Sequence, residues 1–502
     1  MAVPRARPSL RLAEMLDAAQ FEGGPVASDG IVADPVITAI TADSRQVAAG
    51  TLFAALPGTR SDGRRFIADA VARGAVAVLA PVGTRWPAGV AARPLIEDAE
   101  PRHALARLAA AHAGAQPATV VAVTGTNGKT STVEFLRQLW ALDGLPAASL
   151  GTLGVVAPGR EPGTGLTTPD PVALARTLAE LTRAGVAHAA MEASSHGLDQ
   201  FRLDGVRLAA AGFSNLTRDH LDYHGSIDAY RGAKLRLFVE LLPEGAPCVA
   251  NADMEPATFA ALRDIAHTRR LDLRSFGEAG SWVRLVHATP RPDGLLLEIV
   301  ADGMARSLHL PLAGGFQAEN ALLAAGLAEA TGMAGALDRI GQLVGVRGRL
   351  ELVARVGGAA AYVDYAHTPD ALVRLLAALR PHTAGRLVCV FGAGGDRDAG
   401  KRAPMGAAVA AGADRAIVTD DNPRTENAGA IRAAVLAGCP GAIEIGDREA
   451  AIAAGLEGLR AGDVLVVAGK GHESGQTIGA TTIPFDDAAV LRRLVSAPAV
   501  PA

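Results

Sequence analysis

The sequence predicts an α/β protein of about three domains, on three observations. The chain has 502 residues, and one domain takes roughly 100–200 residues. Apolar strand candidates alternate with helical patterns, which favours mainly parallel sheets. Hydrophobic residues make up 49% of the chain and charged residues 20%, so each domain can bury a core, unlike a disordered chain.

Composition excludes several classes of partner and compartment. The net charge of −4 gives no general attraction to nucleic acid or to an anionic membrane, so phosphate binding must come from local sites. Cys248, Cys389 and Cys439 lack metal-ligand spacing and suit a reducing compartment. Met1–Leu10 lacks the apolar core of a secretory signal. We therefore expect a cytoplasmic protein without membrane insertion or nucleic-acid partners.

A strand, a glycine-rich loop and a helix follow one another near residue 120. Ala118–Thr124 is a β-branched apolar run, Gly-Thr-Asn-Gly-Lys-Thr occupies 125–130, and Ser131–Leu142 has a helical pattern. Backbone N–H groups of such a loop cradle phosphate at the start of the helix. Lys129 is then expected on the β- and γ-phosphates, and Thr130 on Mg²⁺.

Two features qualify this nucleotide site. Val123 stands where the general P-loop has its first glycine, so a tight turn with an exposed lysine is the alternative. Glu192 follows the strand candidate Val186–Met191, where a P-loop enzyme needs a Mg²⁺ ligand, although it could also be a helix N-terminal charge.

The residues 215–225 hold two histidines and two aspartates, which fit either a solvated loop or a second cation or phosphate site. Lys234 reads as a surface lysine.

The last third of the chain places polar clusters after four strand candidates. In open α/β sheets, ligands bind beyond the carboxyl ends of the strands, so this edge predicts a binding site. The strand candidates are Ala360–Val363, Leu387–Phe391, Ala416–Thr419 and Val464–Ala468, and the clusters are Asp364–His367, Gly392–Asp398, Asp420–Arg424 and Gly469–Glu473.

The residue types in these clusters suit a zwitterionic ligand. Thr368–Pro369 is explained as a helix start, but Asp364 is not. Arg397 and Arg424 can grip a carboxylate in two-point fashion, and Glu473 supplies an acid for an ammonium group. Each alone could be a surface ion pair.

Taken together, these motifs resemble the Mur ligase family over roughly Thr38–Phe485. The resemblance depends on their order as well as their content. The motifs are Asp43–Arg45, the 125–130 loop, Thr167–Pro169, Glu192–Leu198, Asp219–His224, Arg349 with Glu351, Asp364–Pro369, Asp421–Arg424 and Gly469–Glu473.

The resemblance implies an architecture and a reaction. Residues 1–115 would bind the UDP substrate, 116–346 would be a P-loop ATPase domain, and 347–502 a Rossmann-like domain for the incoming amino acid. The implied reaction joins meso-diaminopimelate to UDP-MurNAc-L-Ala-D-Glu through an acyl phosphate, with ATP as co-substrate and Mg²⁺ as cofactor, in peptidoglycan synthesis. A lysine-adding or folylpolyglutamate synthetase-like ligase and a binding protein with an inactive P-loop are the alternatives.

The resemblance also implies a role for particular residues. Gln317 stands where the family pattern has asparagine, which affects one contact near the nucleotide. The ATP contacts are Gly125, Thr126, Asn127, Gly128, Lys129, Thr130, Ser131, Asn320, Arg349 and Asp364. Those of the UDP-MurNAc-dipeptide are Ser44, Thr167, Thr168, Ser194, Gln200 and Arg202, with Arg45 near the uridine diphosphate. Those of diaminopimelate are Arg397, Asn422, Pro423, Arg424, Gly469 and Glu473. The metal ligands are Thr130, Glu192, His220 and a carbamylated Lys234, and the last three join Lys129 as catalytic residues.

Overall fold

The structure is a computed structural model that describes residues 9–21, 33–58, 61–160 and 166–496. The chain divides into two compact units, Met1–Arg274 with Leu327–Ala334 and Ser275–Gly326 with Gly335–Ala502. The three predicted domain boundaries stay a prediction. Most of the N-terminal stretch without a signal pattern, residues 1–8, lies outside the described residues. Within the described ranges, no helix is long and apolar enough to cross a membrane.

A small parallel sheet begins the first unit. Its strand order is β3-β4-β5-β6, and β1 pairs with β2 separately. Apolar side chains such as Leu52 and Leu79 pack beneath helices α1 and α3. The elements are β1 Leu10–Arg11, α1 Leu12–Ala18, β2 Val36–Ile37, β3 Ala39–Thr41, β4 Thr51–Ala54, α2 Ile67–Ala72, β5 Ala75–Pro81, β6 Leu95–Asp98 and α3 Pro101–Ala113, with short 3₁₀ turns at Ser44–Gln46 and Gly63–Phe66.

A second sheet of the first unit carries the glycine-rich loop. Its strands lie in the order β12-β11-β7-β10-β8-β9, all parallel except β9. They are β7 Thr119–Thr124, β8 Ala147–Gly151, β9 Gly154–Val156, β10 His188–Glu192, β11 Ala210–Phe213 and β12 Pro247–Asn251. The helices are α4 Lys129–Leu142, α5 Pro171–Arg183, α6 Ser195–Asp199, α7 Leu221–His224, α8 Ile227–Arg236, continued by a π-helical turn at Leu237–Leu241, and α9 Pro256–Thr268.

An antiparallel meander and a long helix come next along the chain. Strand β14 pairs with β15, and β15 with β16. These elements are β13 Asp272–Gly277, β14 Val283–Arg291, β15 Gly294–Ala301, β16 Met304–Leu310 and α10 Phe316–Ala330, followed by a 3₁₀ turn at Leu337–Gln342.

The second unit ends in a six-stranded sheet with the order β17-β18-β22-β19-β20-β21, in which only β17 is antiparallel. A separate hairpin joins β23 to β24. The strands are β17 Glu351–Val356, β18 Ala359–Asp364, β19 Leu387–Phe391, β20 Arg415–Val418, β21 Ile443–Glu444, β22 Val464–Ala468, β23 Gly475–Ile478 and β24 Thr481–Pro484. The helices are α11 Pro369–Leu379, α12 Arg402–Gly412, α13 Ala428–Leu436, α14 Arg448–Leu456 and α15 Asp487–Ser496, with 3₁₀ turns at Arg380–His382 and Ala399–Lys401.

The predicted α/β class is confirmed, and its local reasons are visible at several elements. The predicted strands Leu387–Phe391 and Val464–Ala468 are found with the same bounds. Thr368 caps α11 by accepting a hydrogen bond from the Ala371 N–H at 3.3 Å, with Pro369 at the first helical position. The expectation that Lys234 is a surface residue is wrong, because its relative exposure is 1%.

Candidate active site

The glycine-rich loop is hydrogen-bonded to the segment that directly follows the neighbouring strand β11. The Thr126 N–H donates to the Asn215 carbonyl at 2.8 Å, and the Asn127 N–H donates to Asn215 Oδ1 at 3.0 Å. Gly125 adopts a φ of +140°, and a Cβ there would lie 1.9 Å from Ser214 Oγ. The loop therefore requires glycine at that position, and its hydrogen bonds to Asn215 fix its conformation.

The lysine of the loop folds back onto the loop itself. Lys129 Nζ donates to the carbonyls of Gly125 at 2.9 Å and Thr126 at 2.8 Å. Lys129 is also the first residue of α4, where the helix dipole favours an anion. The lysine and the helix start therefore both present positive charge at the same point of the sheet edge.

Glu192 is the centre of a buried hydrogen-bond network at the end of β10. Its relative exposure is 1%. Its Oε1 accepts from the Thr130 hydroxyl at 3.0 Å and from the Thr152 N–H at 2.7 Å, and its Oε2 accepts from the Thr152 hydroxyl at 3.3 Å. The structure thus brings together two of the four predicted metal ligands, Thr130 and Glu192.

Gly151 makes room for this carboxylate. A Cβ at Gly151 would lie 2.0 Å from Glu192 Oε1 and 2.5 Å from its Cδ. A side chain at position 151 would therefore displace the Glu192 carboxylate. Neither Gly151 nor Thr152 was predicted from the sequence, because neither belongs to a polar cluster.

Lys234 extends from α8 into the interior, toward the same loop. Its Nζ donates to the Gly125 carbonyl at 2.7 Å and lies 4.5 Å from the centre of the Tyr230 ring. Burial, assisted by the charge of Lys129, lowers the pKa of Lys234 well below its ordinary value. The lowered pKa favours the uncharged amine, which is the form that reacts with carbon dioxide.

The donor set suits Mg²⁺ in part. Magnesium is usually held by one or two carboxylates, water and substrate phosphates, and the Thr130 hydroxyl beside the Glu192 carboxylate fits that pattern. No group of three or more His, Cys, Asp or Glu side chains that could hold a metal exists among the residues described. His220 is exposed, has a left-handed φ of 50° and lies 3.6 Å from Asp219. Its role as a ligand stays a prediction.

The residues predicted to hold the muramoyl-dipeptide adjoin the Glu192 network. The Thr168 hydroxyl donates to the Glu192 carbonyl at 2.9 Å and accepts from the Ser194 N–H at 3.0 Å. Arg202 donates to the Thr168 carbonyl at 2.6 Å and to Gln200 Oε1 at 2.7 Å. Four of the predicted residues therefore form one connected group.

Of the other predicted contacts of this substrate, Thr167 is connected to the Glu192 network and Ser44 is not, within the described residues. The Thr167 hydroxyl lies 3.1 Å from that of Thr152, which connects it to Glu192. Ser44 begins a 3₁₀ turn capped by the Asp43 side chain. Within residues 33–58 and the other described ranges, no side-chain hydrogen bond joins Ser44 to the Glu192 network.

Three predicted nucleotide contacts lie in the second unit. Asn320 Nδ2 donates to Gln317 Oε1 at 3.0 Å, so the residue that departs from the family pattern fixes the orientation of Asn320. The Arg349 guanidinium lies 4.8 Å from the centre of the Tyr365 ring. Asp364 accepts from the N–H groups of Leu350 at 2.7 Å and Ala366 at 2.8 Å. Burial raises the pKa of Asp364, against the effect of those two hydrogen bonds.

Arg424 lies at the carboxyl edge of the six-stranded sheet in a left-handed conformation with a φ of 52°. Its N–H donates to the Thr477 carbonyl at 3.0 Å, and its carbonyl accepts from the Gly479 N–H at 2.7 Å. The hairpin β23–β24 thus holds the strained backbone. The Arg424 Nη1 donates to the Gly395 carbonyl at 2.7 Å.

Asn422 and Glu473, two further predicted diaminopimelate contacts, are joined by a hydrogen bond. Asn422 Nδ2 donates to Glu473 Oε2 at 2.9 Å. Gly469 has a φ of +116°, and a Cβ there would lie 2.7 Å from Asp421 Oδ2. Arg397 is exposed, and no hydrogen bond joins it to Asn422 or Glu473 in the described part of the chain. Sequence reasoning missed Lys470 and the hairpin, although Lys470 lies inside a motif that it named.

Comparisons with known proteins give the family. Three family models match: "Mur ligase family, catalytic domain" at residues 36–113, "Mur ligase middle domain" at 123–328 and "Mur ligase, glutamate ligase domain" at 348–471. A UDP-N-acetylmuramoyl-L-alanyl-D-glutamate–2,6-diaminopimelate ligase from Caulobacter vibrioides is 56% identical over 91% of this chain and 95% of the relative. The ligase of that name from Rhizobium meliloti is 52% identical over 91% and 94%.

Solved structures agree with these matches. The structure of a ligase with the same name aligns with a TM-score of 0.69 at 34% identity, over 91% of this chain and 94% of that chain. MurF from Acinetobacter baumannii aligns with a TM-score of 0.61 at 21% identity, over 92% of this chain and 96% of that chain, which shows a common fold. The chain belongs to the Mur ligase family.

Proposed function

We propose that the chain is an ATP-dependent ligase that joins meso-diaminopimelate to UDP-MurNAc-L-Ala-D-Glu in peptidoglycan precursor synthesis. The observation that carries the proposal is the identity of 56% and 52% to relatives of that activity, over about nine-tenths of each chain. The reaction takes place in the cytoplasm, as the composition suggests. Residues 1–115, 116–346 and 347–502 serve the UDP substrate, ATP and the amino acid respectively.

The reaction has two chemical steps. The side-chain carboxylate of D-glutamate attacks the γ-phosphorus of ATP, which gives an acyl phosphate and ADP. An amine of diaminopimelate then attacks the acyl carbon, and phosphate leaves as the amide forms. A carboxylate is a poor electrophile, so phosphorylation supplies the leaving group that the second step needs.

The first step needs positioning and charge stabilisation more than covalent help. Gly125 to Ser131 cradle the phosphates, with Lys129 on the transferring group. Thr130, Glu192, His220 and a carbamate on Lys234 would hold Mg²⁺, which would supply positive charge to the phosphates when bound. The burial of Lys234 and the downward shift of its pKa support carbamate formation, because only the neutral amine adds to carbon dioxide. Asn320, Arg349 and Asp364 serve the nucleotide.

Two further sites hold the acceptor and the amine. Thr167, Thr168, Ser194, Gln200 and Arg202 bind the muramoyl-dipeptide, with Ser44 and Arg45 near the uridine diphosphate. The connected hydrogen bonds from Thr168 to Arg202 support a preformed site. The diaminopimelate site consists of Arg397, Asn422, Pro423, Arg424, Gly469 and Glu473.

The alternatives are less well supported. A folylpolyglutamate synthase from Mycobacterium tuberculosis aligns at 20% identity with a TM-score of 0.58, which is a likeness of fold alone. A lysine-adding enzyme has no need for an arginine at position 424. A binding protein with an inactive P-loop has no need for Lys129, Thr130 and Glu192 together.

One assay distinguishes these functions. ADP release is measured with the purified chain, with UDP-MurNAc-L-Ala-D-Glu present or absent, and with diaminopimelate or lysine as the amine. We expect turnover only with the muramoyl-dipeptide and a strong preference for diaminopimelate. Lys129→Ala, checked for folding by circular dichroism, is the inactive control. A preference for lysine, or ADP release that does not depend on the dipeptide, contradicts the proposal.

A further inference from the structure

Lys470 is a fully buried cation beside the amino-acid site. Its side chain has 0% exposure. Its Nζ donates to Asn422 Oδ1 at 3.1 Å, to Glu473 Oε2 at 2.9 Å and to the Gly475 carbonyl at 2.6 Å. An ammonium group has three donors, so each one has a partner. Removing such a charge from water is costly unless its partners are well placed. Two of these partners, Asn422 and Glu473, are proposed ligand contacts.

The Lys470 contact fixes the orientation of the Asn422 amide. Asn422 Oδ1 also accepts from the Thr477 backbone N–H at 2.9 Å. Both Lys470 Nζ and the Thr477 N–H can only donate, so the atom that accepts from them is the oxygen. The amide nitrogen then points toward Glu473. Asn422 can therefore offer a ligand only N–H, which suits a carboxylate and not an ammonium group.

The same contacts give the two carboxylate oxygens of Glu473 different roles. Oε2 accepts from both Lys470 and Asn422. Among the described residues no hydrogen bond ends at Oε1, which leaves this oxygen for a ligand. Burial alone would raise the pKa of Glu473, but Lys470 and Asn422 hold it below its ordinary value. Glu473 is therefore a carboxylate that can accept from an ammonium group.

We propose that Lys470 is a positioning residue that sets the polarity of the amino-acid site. It directs the Asn422 N–H toward a ligand carboxylate and leaves Glu473 Oε1 for a ligand ammonium group, without touching the ligand itself. The inference rests on the proposed function, because that function assigns Asn422 and Glu473 to diaminopimelate. The inference predicts that the carboxylate and the ammonium group of the bound amino acid cannot exchange places in the site.

The test uses steady-state kinetics with each of the three substrates varied in turn. Lys470→Met removes the charge and the donors at similar length, and Lys470→Arg keeps a cation. In Lys470→Met we expect the KM for diaminopimelate to rise about tenfold or more, as the loss of charged hydrogen bonds implies. The KM values for ATP and the muramoyl-dipeptide are expected to stay within about twofold, and Lys470→Arg recovers part of the loss.

Arg386→Met is the matched control. Arg386 pairs with Asp463 at 2.8 Å, and Asp463 lies directly before the first residue of β22. Lys470 lies two residues after the last residue of the same strand. The control therefore removes a paired cation from the opposite edge of the same sheet. We expect it to leave all three KM values unchanged.

The pH profile gives a second readout, which a purely structural role would not move. Lys470 lowers the pKa of Glu473, so its removal raises that pKa. Glu473 then takes up a proton at a higher pH in Lys470→Met. The acid limb of kcat/KM for diaminopimelate is accordingly expected to shift to higher pH, while that of the Arg386→Met control stays in place.

The outcomes separate this inference from the function on which it rests. A wild-type chain that does not use diaminopimelate contradicts the proposed function. A wild type that uses it, with Lys470→Met unchanged in KM and in acid limb, overturns only the inference. Equal losses for all three substrates also overturn it. If Lys470→Met does not fold, Lys470→Gln, which also removes the charge, replaces it: a selective rise in the diaminopimelate KM with a shifted acid limb supports the inference, and wild-type values of both refute it.

Discussion

At the scale of single residues, the surroundings of Lys234 determine the reactivity of its amine. Its amine lies 2.7 Å from the Gly125 carbonyl and is almost completely buried. We expect Lys234→Ala to be nearly inactive, because the proposed carbamate ligand of Mg²⁺ would be lost. A small carboxylate such as acetate should restore part of the activity by occupying the vacated space. ADP release with and without acetate, with chloride as the control salt, measures this.

Carbamylation itself can be observed directly. Wild-type protein in ¹³C-labelled bicarbonate should give a carbamate ¹³C signal that is missing from Lys234→Ala. Wild-type activity in the variant, or identical spectra from both proteins, would show that Lys234 has another role.

Arg424 is the residue expected to select the amino acid. Diaminopimelate and lysine differ by one distal carboxylate, and an arginine fork can grip that group at two points. With lysine bound, the guanidinium would be left without its partner, which is unfavourable in a closed site. Arg424→Ala should therefore reduce the ratio of kcat/KM for diaminopimelate over lysine by roughly ten- to a hundredfold, the value of one charged hydrogen bond.

The measurement of that ratio has an internal control. The KM for ATP should stay near the wild-type value, because the hydrogen bonds described for Arg424 join it to Gly395, Thr477 and Gly479, none of which is a proposed ATP contact. An unchanged ratio would assign selectivity to another residue, with Arg397 the first to test.

At the scale of elements, helices α14 and α15 are joined at their first residues by a buried ion pair. Arg448 donates to Asp487 at 2.7 and 2.8 Å, and both side chains have 0% exposure. Arg448→Met should destabilise the fold by about 3–5 kcal/mol, because it leaves the Asp487 charge buried without a partner. Denaturant unfolding followed by circular dichroism measures the change.

The same two helices supply a matched control. Arg493 pairs with Glu449 at 2.6 Å, with side chains 60% and 41% exposed, and Arg493→Ala should cost less than about 1 kcal/mol. The double variant Arg448→Met/Asp487→Leu should recover part of the lost stability, because no charge then remains unpaired. Equal effects of Arg448→Met and Arg493→Ala would mean that burial does not decide the strength of these pairs.

The elements also show what the sequence could predict. The strands Leu387–Phe391 and Val464–Ala468 were predictable because apolar runs of that length between glycine and polar clusters have few alternatives. The hairpin β23–β24 was missed, since its strands are short and polar. The burial of Lys234 could not be predicted either, because it depends on packing between α8 and a loop more than 100 residues earlier, as the contact with Gly125 shows.

At the scale of the whole molecule, every thiol is enclosed. Cys248, Cys389 and Cys439 are free and buried, and burial raises the pKa of Cys248 to about 12. Thiolates are the reactive form, so none should react quickly with Ellman's reagent in the native protein. All three should react after denaturation. A thiol that reacts at once in the native state would mean that part of the fold opens readily.

The glycine at position 151 allows the presence of the Glu192 carboxylate to be predicted in related sequences. Any side chain there would overlap the Glu192 carboxylate, since a Cβ would come within 2.0 Å of it. The two positions are therefore expected to covary among related chains. A homologue that carries a larger residue at the equivalent of Gly151 should also have replaced Glu192 by a shorter residue. Unless that shorter residue is aspartate, such a homologue would have lost the buried carboxylate at the end of β10, and with it the capacity for phosphoryl transfer proposed for this chain.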